Sequence, residues 1–559
     1  MGTPMTPIAS RPLLGSAIRL LRPFWRLALA ATLSGMASGL ATAWLLASIN
    51  DTLHSDQGAT PALLLGFAGL CLVTVAGEVA SDLGNSYVGQ QAVAVLRTEL
   101  TDRILSAPID RIDRFRTHRI TAVLNHDVEV LSNFTFAFSS LAIAFAVTLG
   151  GLAYLLVLSP LMSLVAAVAL ALGMTVHMRA RSRGRAGFDA ARRLQDELQQ
   201  QYRAISEGAK ELRISRPRRL HMRAVRLGGT IAGIRDLRIR AMRTYMSANA
   251  FGSILFLLVI GLLLALQSRL AIPAEVLSGF VLVLLYIKGP LQQLVAALPA
   301  IGQAQVALHN IAALERAFAN PEDGLLEPVK SIPAMRRIEL VGVTYGFPPE
   351  GGVSFHLGPV DLTLDTGEIL FIVGENGSGK TTLVKLLLGL YEPREGIIRV
   401  DGREVTAASR DDYRQLFSTV FADYFLFDEV IEPVDERDMA RHLQRLELVG
   451  KLAIREGRFT TTDLSTGQRK RLALLLAYLE QRPVVVFDEW AADQDPAFRR
   501  IFYAELLGQL RAQGKTVVVI SHDDRYFRFA DRLVLMKEGR IVEIRHGEEV
   551  IGIPEHGHA

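Results

Sequence analysis

Residues Leu27–Ile49 contain no charged side chain at all. As a helix rising about 1.5 Å per residue, such a run crosses the roughly 30 Å apolar core of a bilayer. Further runs of the same kind are Ala62–Gly77 (extending to Ala80), Phe134–Leu158, Leu161–Met178, Tyr245–Gln267 and Val276–Ala297. The last carries Lys288 and Pro290 and is the least regular of them. Helices buried in a soluble core are the alternative, but so many long apolar runs in one chain argue for membrane spans. Composition agrees: half of the 559 residues are hydrophobic and 21% are charged, with a mean hydropathy of +0.26, the balance of a membrane protein with a soluble part.

Charge placement then orients the spans. Arg11, Arg19, Arg22 and Arg26 precede the first, whereas Asn50–Pro61 has neither Lys nor Arg. The long connection 81–133 carries Arg97, Arg103, Arg111, Arg114, Arg116 and Arg119, and 179–244 opens "RARSRGR". Spans three and four are joined by a Ser-Pro turn, and the link from five to six holds only Arg269. Lys and Arg accumulate on the cytoplasmic side, so the reading is six spans with both termini and both long loops cytoplasmic. The stretch 189–215 spaces Leu194, Leu198, Tyr202, Ile205 and Leu212 at near-helical intervals, so the membrane helices are expected to continue beyond the bilayer. "MGTPMT" at the start fits a myristoylation pattern, but in a chain with several spans it reads as chance. Cys71, the single cysteine, excludes an intrachain disulfide, and a net charge of +4 demands no nucleic-acid partner.

Beyond a polar Pro/Gly-bearing linker the composition turns soluble. The expected division is 1–318 membrane domain, 319–335 linker and 336–559 nucleotide domain. "EILFIVGENGSGKTTLVKLLLGL" (368–390) reads as strand, glycine loop and amphipathic helix, and fits G-x-x-x-x-G-K-[ST]. In such a loop, backbone N–H groups wrap phosphate oxygens at a helix N-terminus. Lys380 reaches the β- and γ-phosphates of ATP, and the Thr381 hydroxyl can ligate Mg2+. "RPVVVFDEW" (482–490) reads as a buried strand presenting Asp488 to the Mg2+ shell, with Glu489 placed to orient or activate water. "KTVVVISHDDRYF" (515–527) ends another buried strand at His522, within reach of a γ-phosphate. "DLSTGQRKR" (463–471) offers a second polar, basic grip suited to phosphate.

These motifs in this order resemble an ATP-binding-cassette (ABC) exporter half-transporter along nearly the whole chain. The resemblance implies six transmembrane helices followed by an α/β P-loop nucleotide-binding domain, with ATP and Mg2+ as ligands. Gly374, Glu375, Asn376, Gly377, Ser378, Gly379, Lys380, Thr381 and Thr382 match its phosphate loop. Leu464–Gln468 matches its signature through Ser465, Thr466, Gly467 and Gln468, with Thr466 replacing the commoner glycine. Asp488 matches the magnesium aspartate, Glu489 the catalytic glutamate, Asp495 the D-loop aspartate and His522 the switch histidine. An adenine-stacking aromatic matches Phe347, with Tyr345 as the other register. In that family each signature grips the ATP held by the opposite phosphate loop, so one of each per chain implies a homodimer. The family's usual glutamine between the two strands is replaced here by Ala422, followed by Asp423. That puts the coupling contact in doubt.

Several wordings, among them "FSTVFADYFLFDEV" (417–430) and the tryptophan after Glu489, look most like bacterial exporters of cyclic peptides and peptide siderophores. The expectation is therefore a multi-pass protein of a bacterial inner membrane, surrounded by lipid and moving a peptide cargo outward. A lipid or multidrug exporter with the same engine, and an ATP-gated sensor with little turnover, remain the alternatives. Residues 107–116 and 206–212 look like coupling contacts. Glu78 and Lys288 lie at similar depth, about 24 and 21 Å along their spans. They either line a cargo cavity or reach the wet helix ends.

Overall fold

The structure is a computed structural model, and it describes residues 22–54, 60–115, 117–270, 273–326, 335–347, 355–431 and 436–547. The myristoylation match at 1–6, Arg11, Arg19, Arg116 and the 327–334 part of the linker fall outside the described residues. Two compact units emerge: one of residues up to Thr98 with Thr121–Ala313, the other of Glu99–Ile120 with Leu314 onward. The short loop helix Ile109–Phe115 thus belongs to the same unit as the ATP-site motifs.

Six helices in the described residues are long and apolar enough to cross a membrane. They are Trp25–Leu53, Pro61–Leu105, Val128–Leu158, Pro160–Glu207, Gly228–Leu270 and Ala274–Ala317. The turn between the third and fourth forms as its residues dictate. Ser159 is extended and its hydroxyl accepts the Met162 N–H, while Pro160 takes the first helical position, where a missing N–H costs nothing. The Pro160–Glu207 helix would be about 72 Å long, over twice the apolar core, so its second half stands outside the bilayer. It ends at Gly208 within the stretch "SEGAKEL". The sixth helix runs through Pro290 without a break.

Small residues bring the first three spans together. A Cβ on Gly39 would meet Ala146 Cβ at 2.7 Å and the Ile143 carbonyl at 2.9 Å, and one on Gly77 would meet the Ser34 carbonyl at 2.8 Å. Such glycines let helix backbones approach where no hydrophobic effect drives association. The fourth, fifth and sixth spans share an apolar core around Met162, Phe256, Val259, Leu263, Phe280 and Leu284.

The second unit is built on a six-stranded sheet in the order Arg540–His546, Arg532–Lys537, Ile369–Gly374, Thr516–Ile520, Val484–Asp488 and Phe417–Val420. All neighbours are parallel except the first pair. The central strands Ile369–Gly374, Val484–Asp488 and Thr516–Ile520 are buried almost throughout because both faces are covered. Phe371, Val485, Phe487 and Val519 enter one core, and Leu370, Ile372, Val486 and Val518 the other. A smaller antiparallel sheet, His356–Asp365 with Arg337–Gly346, Glu395–Val400 and Arg403–Glu404, lies beside it in sequence and supplies the second core.

Candidate functional site

Three motifs far apart in sequence converge because their strands are neighbours. Thr516–Ile520 lies between Ile369–Gly374 and Val484–Asp488, with Ile520 in register with both Ile372 and Asp488. The phosphate loop, the Asp488–Glu489 pair and His522 therefore emerge together from the carboxyl ends of parallel strands, where α/β sheets bind ligands.

In the loop, Gly377 and Gly379 hold positive φ of 81° and 101°. A Cβ at Gly374 would meet the Met536 carbonyl at 2.3 Å, which keeps that position glycine. Lys380 is 5% exposed and its ammonium donates to the Gly374 and Glu375 carbonyls at 3.0 Å. Burial lowers its pKa, opposed by Glu489 and Asp488. Asp488 is 1% exposed; Thr381 Oγ1 donates to its Oδ2 at 3.4 Å, and its Oδ1 has no partner. Burial first, then Glu489, raises its pKa. The Ser378 hydroxyl is likewise buried without a partner. Two orphaned oxygens beside a buried ammonium fit a phosphate chain with its cation.

Glu489 sits at φ +51°, a conformation a non-glycine residue keeps only where surroundings enforce it. Its Oε1 meets His522 Nε2 at 2.9 Å. Glu489 and His522, expected to act at one phosphate, are thus in direct contact. Phe347 stands half-buried just past a strand end, edge-on to Tyr345 at 5.2 Å. Tyr345 itself is 4% exposed and stacks on Tyr391 at 4.8 Å, which leaves its ring no free face for adenine on that side. Phe355 was not anticipated: its ring reaches the phosphate loop, within 2.8 Å of where a Gly379 Cβ would stand.

The signature stretch needs a correction. Ser465 caps the helix Thr466–Leu479 reciprocally with Gln468, and Ser465 and Thr466 are exposed. Two of the three basic residues expected to face phosphate are instead buried within their own chain. Lys470 donates to the Glu489 carbonyl at 3.1 Å and pairs with Asp493 at 2.8 Å. Arg471 bridges Glu447 and Asp495 at 2.5 and 2.6 Å, with its guanidinium 3.7 Å over Phe498. Asp495 also caps the helix Pro496–Ile501 through the Phe498 N–H. That bond and Arg471 hold its carboxyl below the usual range. Gln494 donates to the Gly467 carbonyl at 3.1 Å, and the Trp490 indole to the Lys470 carbonyl at 2.8 Å. The signature helix is therefore bolted to the segment that follows the catalytic strand.

The chain matches the ABC transporter family over residues 357–492 and the ABC transporter transmembrane region over residues 25–186. It is 35% identical over 531 residues to the ATP-binding protein SyrD of Pseudomonas syringae pv. syringae, covering 91% of this chain and 93% of that one. The chain belongs to the ABC transporter family. Two ATP-dependent lipid A-core flippases are also similar. That of Ralstonia nicotianae is 31% identical over 49% of this chain and 48% of its own. That of Methylobacillus flagellatus is 26% identical over 91% and 88%.

This ABC exporter is thus a multi-pass membrane protein that binds and hydrolyses ATP to drive transport, with an ABC membrane domain followed by a nucleotide-binding domain. One contact around its ATP site falls within 107–116, although the sequence did not point to its partners. Asp113, on Ile109–Phe115, accepts hydrogen bonds from Lys385 Nζ at 3.0 Å and Tyr391 Oη at 2.9 Å. Lys385 lies on the phosphate-loop helix Lys380–Leu387, and Tyr391 carries Tyr345 and, through it, Phe347. Burial pushes the Tyr391 hydroxyl up to about 12. Ala422 and Asp423 are exposed, with Asp423 inside the electrostatic reach of Asp488. Glu78 is exposed and Lys288 half-buried on their spans, and among the described residues they do not pair. Glu78 lies within electrostatic reach of the Tyr286 hydroxyl on the sixth span.

Proposed function

We propose that two copies of this chain form an exporter of a cyclic peptide or peptide siderophore, with two ATP sites shared between them. The observation that carries the shared site is the signature itself. The exposed Ser465–Thr466 helix end makes its hydrogen bonds within its own turn and none to Gly374–Thr382 of the same chain. A helix N-terminus left open in this way suits the terminal phosphate of an ATP bound by a second copy.

Within each site, Gly374–Thr382 wraps the phosphates, Lys380 balances their charge and Phe347 stacks on adenine. Thr381 and Asp488 would hold Mg2+, which supplies positive charge against the phosphate oxygens. Glu489 orients the attacking water and receives its proton. His522 holds the Glu489 carboxylate and reaches the phosphate. The wording of 417–430 and the tryptophan after Glu489 support a peptide cargo, and the arginine-rich loops support a cytoplasmic location for both termini in a bacterial inner membrane. The similarity to lipid A-core flippases favours lipid as the second reading of the cargo.

The test is ATP turnover in lipid nanodiscs against Glu489→Gln, with cyclic peptides and, separately, lipid A titrated in. Turnover that vanishes in the variant and responds to peptide supports the reading. A response to lipid A alone overturns the cargo, and no turnover above the variant moves the assignment to an ATP-gated sensor.

A further inference from the structure

A cavity of about 260 Å3 lies between the fourth, fifth and sixth spans, walled by Met174, His177, Leu255, Phe256, Gln292 and Gln293 among others. Its buried polar group is His177. His177 is 7% exposed and its Nδ1 is 2.8 Å from the Ala248 carbonyl. A carbonyl oxygen only accepts, so Nδ1 carries the hydrogen, and in the neutral ring Nε2 is left as an acceptor. No protein group meets Nε2 among the described residues. Gln292 and Gln293 likewise make no hydrogen bond to protein there. Polar side chains inside spans are costly and cluster where they serve a substrate. Gln292 is half-buried and Gln293 exposed, so both amides are accessible to an incoming ligand.

Size and chemistry limit the occupant. The cavity is smaller than the roughly 300–1,000 Å3 that encloses a whole small ligand, so it takes part of a larger one. Its lining holds no Lys or Arg, which disfavours phosphate. It offers an apolar wall, the His177 acceptor, two amides and the Tyr245 side chain, the complement of an uncharged peptide unit with an aliphatic or aromatic side chain.

We infer that this cavity is a cargo subsite that takes one apolar residue of a peptide, His177 Nε2 accepting its N–H and Gln292 and Gln293 meeting its carbonyl. The inference rests on the peptide-export reading and adds where and how the peptide is held. Gly252 keeps the site open, since a Cβ there would stand 2.7 Å from His177 Nδ1.

The experiment uses the full chain in nanodiscs and an uncharged cyclic octapeptide of Gly and Leu in which one Leu carries a diazirine. Photolabelling should map to 174–177, 252–256 and 292–296, and be competed by the unlabelled peptide. In the near-isosteric Gln292→Leu/Gln293→Leu variant, and in Gly252→Ala, half-saturation of labelling should rise at least tenfold. Labelling of the wild-type chain needs no variant to fold, so the map alone can decide. Competed labelling elsewhere in the spans, for example around Glu78, or half-saturation within twofold of wild type, overturns the subsite and leaves peptide export standing. Turnover and labelling that respond only to a diazirine-bearing lipid A overturn both.

Discussion

Asp113 is the residue whose removal tests how the nucleotide site is tied to the loop helix Ile109–Phe115. Its carboxylate holds two donors, Lys385 Nζ and Tyr391 Oη, from two different segments of the ATP-binding unit. The side chains are 46% exposed for Asp113 and 23% for Lys385, so solvent screens the ion pair and it contributes about 0.5–1 kcal/mol. The hydrogen bond from Tyr391 to a charged acceptor adds a similar amount after the same discount. Asp113→Asn should therefore cost about 1–2 kcal/mol of docking, a factor of roughly 5–30 in the docked population. The assay is the ratio of cargo-stimulated to basal ATP turnover in nanodiscs, measured for Asp113→Asn, Tyr391→Phe and both together. The single variants should each lower the ratio, and the double should lower it by less than the product, an interaction of about 0.5–1 kcal/mol. Burial lowers the Lys385 pKa, but Asp113 and Tyr391 outweigh it and leave the group above its ordinary 10.5. A raised folded pKa means the contribution is fully present below that value and lost only as pH rises through the folded one. The ratio should accordingly be flat between about pH 6 and 9. Single variants within twofold of wild type, or additivity within about 0.3 kcal/mol, would refute this reasoning.

Asp488→Asn should abolish ATP turnover yet raise the melting temperature of the nucleotide-free protein. The folded pKa of Asp488 is raised by burial, so its destabilising charge is absent below the ordinary 3.8 and grows as pH rises through the folded value; thermal unfolding at several pH values checks the sign. Lys470→Met should lower kcat several-fold, with the Michaelis constant for ATP nearly unchanged, because it frees the strained Glu489 main chain. Stability should fall by about 1–2 kcal/mol, since the partner left behind, Asp493, is half exposed. Asp423→Ala should cut turnover about tenfold, and Ala422→Gln in that background should restore part of it; equal turnover in all three proteins would show that neither position touches the chemistry.

The phosphate loop, the Asp488–Glu489 pair and His522 were legible because each follows a run of four or more apolar residues, and a buried parallel strand delivers whatever follows it to one edge of the sheet. The spans were legible for a similar reason, since a bilayer demands long charge-free helices. The basic run 469–471 misled because it was read as a string and not as a helix. With the helix starting at Thr466, Lys470 and Arg471 share a face with Leu474, Leu475 and Tyr478, all buried, while Arg469 turns outward beside Tyr424. Their acid partners, Asp493 and Asp495, were visible in the sequence, but nothing local linked them. Tyr345 and Phe347 were separable only by their neighbour Tyr391, whose stacking claims the first. Phe355 had no signal at all, and 107–116 marked a contact without singling out Asp113 or its partners, because both act through residues that only folding brings close.

Glu322 gives the segment after the sixth span a meaning beyond that of a spacer. Its backbone N–H donates to the Ser106 carbonyl at 2.7 Å and its carboxylate pairs with Arg414 at 2.5 Å, both side chains being largely shielded from water. Arg414 in turn clasps the Gly389 carbonyl at the end of the phosphate-loop helix. Excising the ATPase as a fragment from residue 336 would strand that guanidinium without its counter-ion and remove Asp113 from Lys385. A chimera that grafts this engine onto a foreign permease must therefore bring 99–120 and 314–326 along. The interchangeable cartridge in this protein is stitched from two separate stretches of chain.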